Sequence, residues 1–274
     1  MSPGIKKNSH FKLGVALLAV LAIILAGLSL FQGIDLRLNI QQRLQLSSTR
    51  HWLGTDDLGR DIVSCLGCAT LISLGIALTV IALAASFGAG LGFLAAWRGG
   101  WLGACIMRSA DFVLAFPGIL FSLALIAFWG QGIFNLVFAL VLSGWVGYAR
   151  LVRGEVLKIK LRDFILAARG FNASSSHIAF RHILPLVFPL LLTQVVSGIA
   201  GVILAESSLN FLGLGLDPRL PTLGGMIDAG RGHLFDRPEL VLIPGACLTL
   251  LVAGFLLLAE GYKMPPETVA IEKN

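Results

Sequence analysis

The chain has 274 residues, of which 56% are hydrophobic and only 13% charged, with a formal net charge of +6 and a mean hydropathy of +0.86. A soluble globular domain is about one quarter charged, so the two soluble domains that this length would suggest are excluded in favour of one integral membrane domain with long apolar runs. The cations lie between those runs without interleaved aromatics, which excludes a nucleic-acid surface and points to the membrane surface.

Six transmembrane helices are predicted in chain order, making an all-α membrane protein. The first, from about Leu13 to Phe31, follows Lys6, Lys7 and Lys12. Its apolar run exceeds the roughly 7–15 residues of a signal-peptide core, so it reads as a retained anchor. The second runs from about Ile72 to Trp97, the third from Phe112 to Trp129 and the fourth, shorter than the others, from Ile133 to Trp145. The fifth, Leu186 to Ala205, and the sixth, Leu240 to Ala259, flank a polar loop. An anchor and external segment over residues 1–70, a five-helix core over 71–262 and a tail over 263–274 follow from these spans. Gly88 and Gly92, with Gly75, Ala85 and Gly103 nearby, form a small-xxx-small pattern that lets membrane helices approach closely.

The loops set the orientation. Fourteen of the 21 basic residues, including Arg98, Arg108, Lys263 and Lys273, fall on one side, which the positive-inside rule makes cytoplasmic along with both termini. Arg108 and Asp111 stand i, i+3 at the start of the third span, the spacing of an intrahelical pair.

The stretch from Tyr148 to Pro189 carries seven cations (Arg150, Arg153, Lys158, Lys160, Arg162, Arg169 and Arg181) against two acids, Glu155 and Asp163. Within it a short helix is expected around Phe164–Arg169. Asn172 follows as a left-handed turn residue. Ser174 to Ser176 then offer N-caps for a second short helix closed by Pro185. Phe164, Ile165 and Phe171 are expected to be exposed.

Two outer segments also stand out. In His51-Trp-Leu-Gly-Thr-Asp-Asp-Leu-Gly-Arg-Asp61, Thr55 or Asp56 is suited to cap a short surface helix, with Arg60 paired to Asp57 or Asp56. Glu206, beside the fifth span, is either a functional intramembrane acid or a local pair at the water interface. No G-x-x-x-x-G-K-[ST] loop occurs, so ATP hydrolysis is not expected on this chain. Cys65 and Cys68 form a lone C-x-x-C without a second pair, and Cys105 and Cys247 read as small apolar residues.

Three of these segments resemble the permeases of ABC importers. Leu166-Ala167-Ala168, then Asn172, then Leu184-Pro185 are similar to the family's cytoplasmic EAA loop, with Leu166 in place of the glutamate and Asn172 in place of the glycine. The segment from His51 to Asp61 is similar to the signature of the dipeptide, oligopeptide and nickel branch. So is the stretch from Ile203 through Glu206 to Gly224-Gly225-Met226, where Leu223 replaces a tryptophan.

The resemblance implies a type I importer permease fold and the role of the second, C-type permease. Asp163, Phe164, Leu166, Ala167, Ala168, Arg169, Phe171, Asn172, Leu184 and Pro185 would then form the element that docks on an ATPase. Asp56, Asp57, Arg60, Asp61 and Glu206 would belong to an external vestibule. The implied partners are a homologous permease, two ABC ATPase subunits that bind ATP and Mg, a substrate-binding protein and membrane lipid; no cofactor is expected on this chain. Were nickel the cargo, His51, His233, Cys65 and Cys68 would be the ligands to consider. Moving a two-state gate from 1:99 to 99:1 takes about 5.5 kcal/mol, and one docked anchor supplies about 2 kcal/mol, so two docking loops, hence two permeases, are expected. A secondary transporter, an exporter-type subunit and a membrane scaffold are the other classes compatible with this topology.

Overall fold

The computed structural model describes residues 3–32 and 38–262. Lys263, Lys273 and the expected 263–274 tail lie outside the described residues. The described chain is helical, without strands and with one isolated bridge between Thr55 and Asp61.

Helix α1 spans Pro3–Gln32, α2 Ile62–Arg98, α3 Gly100–Leu114, α4 Gly118–Trp129 and α5 Ile133–Lys160. Helix α6 spans Asp163–Gly170, α7 Ser175–His177, α8 Leu184–Phe211, α9 Leu223–Arg231 and α10 Glu239–Tyr262. Five helical stretches, counting Ser175–Phe211 as one, are long and apolar enough to cross a membrane, and α3 with α4 makes a sixth if that bent pair is one span.

Helices α2 and α5 form the centre. Their backbones touch because Gly88 and Gly92 carry no side chain: a Cβ on Gly88 would meet the carbonyl oxygen of Trp145, and one on Gly92 that of Ala149. The glycine spacing thus packs α2 on α5, whereas Gly75 meets nothing. Helix α8 lies against both, α10 packs on α8, and α1 lies outermost along α10. Phe11 of α1 meets Tyr262 of α10 with ring centroids 5.7 Å apart. The start of α1 and the end of α10 therefore share one end of the bundle.

Four boundaries depart from the sequence expectation. Helix α2 begins at Ile62, ten residues before the predicted span, because the Asp61 side chain accepts from the Ser64 N–H and caps it. Polar Ser64 and Thr70 dilute the hydropathy of that first stretch without stopping the helix.

The predicted third span is broken: α3 and α4 meet at 86°. Pro117 disfavours a helical Phe116 before it and starts α4, whose 12 residues reach only about 18 Å, short of the roughly 30 Å hydrocarbon core.

The short fourth span is corrected to 28 residues, about 42 Å of helix, so Arg150, Arg153, Lys158 and Lys160 are its last turns and not loop. Pro185 does not close the second short helix. A π-helical segment, Ile178–Ile183, precedes it and the chain runs on unbroken into α8. Proline has no N–H to give to an α-helical partner, and the wider turn accommodates its place at the start of α8.

Candidate functional site

Helix α6 projects from the basic end of the bundle. Asp163 in its first turn and Arg169 in its last match the signs favoured by the helix dipole. Asn172 has φ 59°, its N–H donates to the Arg169 carbonyl, and the Ala173 N–H donates to the Ala168 carbonyl. Those two bonds are the Schellman pattern with Asn172 in the left-handed position, which explains how asparagine serves where the resemblance has glycine. Ser174 then caps α7 by accepting from the His177 N–H.

Ile165, expected to be exposed, is 0% exposed and packs with Val152, Val156, Ile159, Ile178 and Ile183. It pins the elbow to the end of α5 and to the π-helical segment before α8. Phe171 is 89% exposed, and Phe164 and Leu166 are also exposed. Asp163, Ala167, Arg169, Leu184 and Pro185 are exposed as well, while Ala168 is half-buried. An exposed apolar patch held rigid on a charged end is the arrangement of a docking surface.

At the opposite end the outer segment folds on its own charges. Asp56 does not cap a surface helix: its carboxylate accepts from the N–H groups of Leu58 at 2.9 Å and Arg60 at 2.8 Å and from Arg60 Nε at 2.7 Å. Arg60 also donates to the Arg219 carbonyl at 3.0 Å, tying this segment to the loop after α8. Asp61 accepts from the Ser64 N–H at 2.9 Å and lies 3.1 Å from His51 Nδ1. Asp56, Arg60 and Asp61 are buried and only Asp57 is half-buried, so the expected exposed pair is instead an internal clasp. Its burial comes from Met226, Gly230 and Leu240 of α9 and α10, which share a small cavity with Asp56, Asp57 and Arg60.

Removing one partner of a buried pair leaves an uncompensated charge and costs about 3–5 kcal/mol. Arg60→Met is accordingly expected to lower the melting temperature of the detergent-solubilised protein sharply. Lys158→Ala, which breaks an exposed pair with Glu155, should leave it unchanged.

Glu206 is neither at the water interface nor in that clasp. It is 0% exposed, accepting from Ser73 of α2 at 2.8 Å and Ser207 at 3.3 Å, and from the Asn210 amide. Asn210 in turn accepts from the Leu216 N–H at 2.8 Å, so the acid fixes α8 to α2 and to the loop beyond. Ser73 and Asn210 were not anticipated from sequence; the i, i+4 spacing of Glu206 and Asn210 was the available signal. Asp111 pairs not with Arg108 but with Arg150 of α5 at 2.6 Å.

Between α2, α4, α5 and α8 runs a cavity of about 290 Å³ whose walls combine Ser122, Ser143, Tyr148 and Gln194 with Gly144 and Gly198. Its α8 wall sets Gln194, Gly198, Gly201 and Ala205 beside the apolar Val202 and Leu209. His51, His233, Cys65 and Cys68 are not assembled: among the described residues no group of three or more His, Cys, Asp or Glu could hold a metal.

Apolar membrane-length helices around a largely apolar cavity with a few serine, tyrosine and glutamine groups describe a multi-pass membrane protein with room for a small solute. The chain belongs to the family described as binding-protein-dependent transport system inner membrane components, whose model matches residues 88–262. It is 38% identical over 216 residues to a glutathione transport system permease protein of Pectobacterium atrosepticum, covering 79% of this chain and 72% of that one. It is 35% identical over 225 residues to a dipeptide transport system permease protein of Alkalihalophilus pseudofirmus, covering 82% and 74%. A glutathione transport system permease protein of Escherichia coli O157:H7 is 36% identical over 216 residues, covering 79% and 71%. The resemblance carried by the EAA-like loop and the outer segments is thereby borne out at the level of family.

Proposed function

We propose that this chain is one of two permease subunits of an ATP-driven importer of small peptides, with the basic end in the cytosol and both termini there. The observation that carries the reading is α6: its buried Ile165 fixes it to the bundle while Phe164, Leu166 and Phe171 face outward. In this reading two ABC ATPase subunits hold ATP and Mg, and closure of the pair pulls on α6. Because α5 and the π-helical segment leading into α8 share the packing around Ile165, that pull reaches the transmembrane helices as a rigid displacement. The cavity between α2, α4, α5 and α8 forms this chain's half of the path, and the homologous permease supplies the other half. Peptide cargo is supported by the dipeptide and glutathione relatives; for nickel, the dispersed histidines and cysteines give no support.

The outer clasp of Asp56, Arg60 and Asp61 supports a different role from the one expected for it. It braces the vestibule, with half-buried Asp57 as its one acid near the surface, and a soluble substrate-binding protein delivers cargo to that face. Reconstitution with the companion permease, ATPases and binding protein tests the assignment. Dipeptide uptake is expected only with ATP and binding protein together; uptake driven by an ion gradient without ATP would instead identify a secondary transporter.

A further inference from the structure

Beside α6, at the basic end, a polar cavity of about 490 Å³ opens between the ends of α2 and α5 and the start of α7. Its walls include Trp97, Lys160, Arg169, Asn172 and Ser175, and no acid lines it. Lys160 is held in place: its Nζ donates to the carbonyls of Ala96 at 3.0 Å and Trp97 at 3.3 Å and lies 5.4 Å from the centre of the Trp97 ring. An ammonium has three donors, so one N–H remains for a ligand. Arg169 has no acidic partner among the described residues and brings a planar fork suited to phosphate oxygens. Two cations, a serine hydroxyl and an asparagine amide thus converge on a space large enough for a headgroup. Trp97 ends an apolar helix, the position at which tryptophan sits among lipid headgroups.

We propose that this cavity is a binding site for a phosphate group, supplied in the membrane by the headgroup of an anionic phospholipid. Its neutralisation would relieve the repulsion between Lys160 and Arg169 and fix α6 relative to α2. The proposal extends the docking reading by adding a lipid-dependent brace to the same elbow, and it rests on that reading only for which leaflet supplies the lipid.

The full chain, purified without ATPase, is placed in nanodiscs of phosphatidylcholine with increasing phosphatidylglycerol, and the lipids retained on it are counted by native mass spectrometry. Preferential retention of phosphatidylglycerol is expected. Each cation at a membrane surface is worth about fivefold in binding, so Arg169→Gln should reduce the retention about fivefold, and Arg169→Lys, which keeps the charge but not the planar fork, should reduce it less. In a second arm, inorganic phosphate is titrated while Trp97 fluorescence is followed in a variant whose other tryptophans are replaced by phenylalanine. Phosphatidylglycerol preference without a phosphate response assigns the group to lipid. A phosphate response with equal retention of both lipids supports the site but assigns it to free phosphate. Equal retention with no phosphate response, or a preference untouched by Arg169→Gln, overturns the proposal. Because no ATPase is present, failure here is read separately from failure of docking.

Discussion

Replacing Gly92 by leucine is expected to yield a chain that still inserts but no longer melts as a folded protein. The Cβ alone would be driven into the carbonyl oxygen and Cα of Ala149, which are backbone and have no rotamer to escape to. Overpacking a well-filled interior costs about 1–3 kcal/mol when side chains can yield, and here the obstacle is the helix itself. Gly88→Leu meets the Trp145 carbonyl one turn away, so each single variant should force α2 from α5, and the double variant should separate them. Since α8 is packed on both helices, the core loses its centre as well as one contact. Gly75→Ala is the matching control: nothing lies within 4 Å of its added Cβ, and since alanine favours a helix over glycine, its thermal melting in detergent should not fall below that of the wild type.

Phe171→Asp is expected to abolish ATP-driven uptake while leaving the bundle folded. The ring is 89% exposed, so the fold does not depend on it, and an aromatic anchor at the centre of an interface is typically worth about 2 kcal/mol or more. Its loss should weaken ATPase association at least about thirtyfold, read as ATPase lost from the purified complex. Ile165→Asp should behave differently. A charge placed among Val156, Ile178 and Ile183 has no partner, so that variant should lower the melting temperature before any ATPase is added.

How far the sequence anticipates these features depends on how local each one is. The positive φ of Asn172 and the Ser174 cap are decided within four residues, by the tolerance of asparagine for left-handed backbone and by a serine oxygen at the helix start. The close approach at Gly88 and Gly92 is legible for the same reason, although its partner helix is not. Ile165 is not placed by sequence because on an eight-residue helix burial is set by what α5 and the π segment bring to it, and the sequence ends the fourth span at Trp145, fifteen residues short of the end of α5. Asp111 has a cation at i−3, but the one it bonds is Arg150, 39 residues away. Glu206 depends on Ser73, 133 residues distant. The broken third span escaped for another reason: hydropathy is continuous across Pro117, while the backbone is not.

Whether the elbow formed by α6 is the handle on which the ATPases pull is decided by a photo-crosslinking amino acid at position 171 in intact cells. An adduct between this chain and the ATPase subunit is expected, as is its loss when the exposed Phe164 and Leu166 are both replaced by aspartate with the probe kept at 171. An adduct with the substrate-binding protein, or labelling of position 171 by a membrane-impermeant reagent added outside the cell, would contradict it.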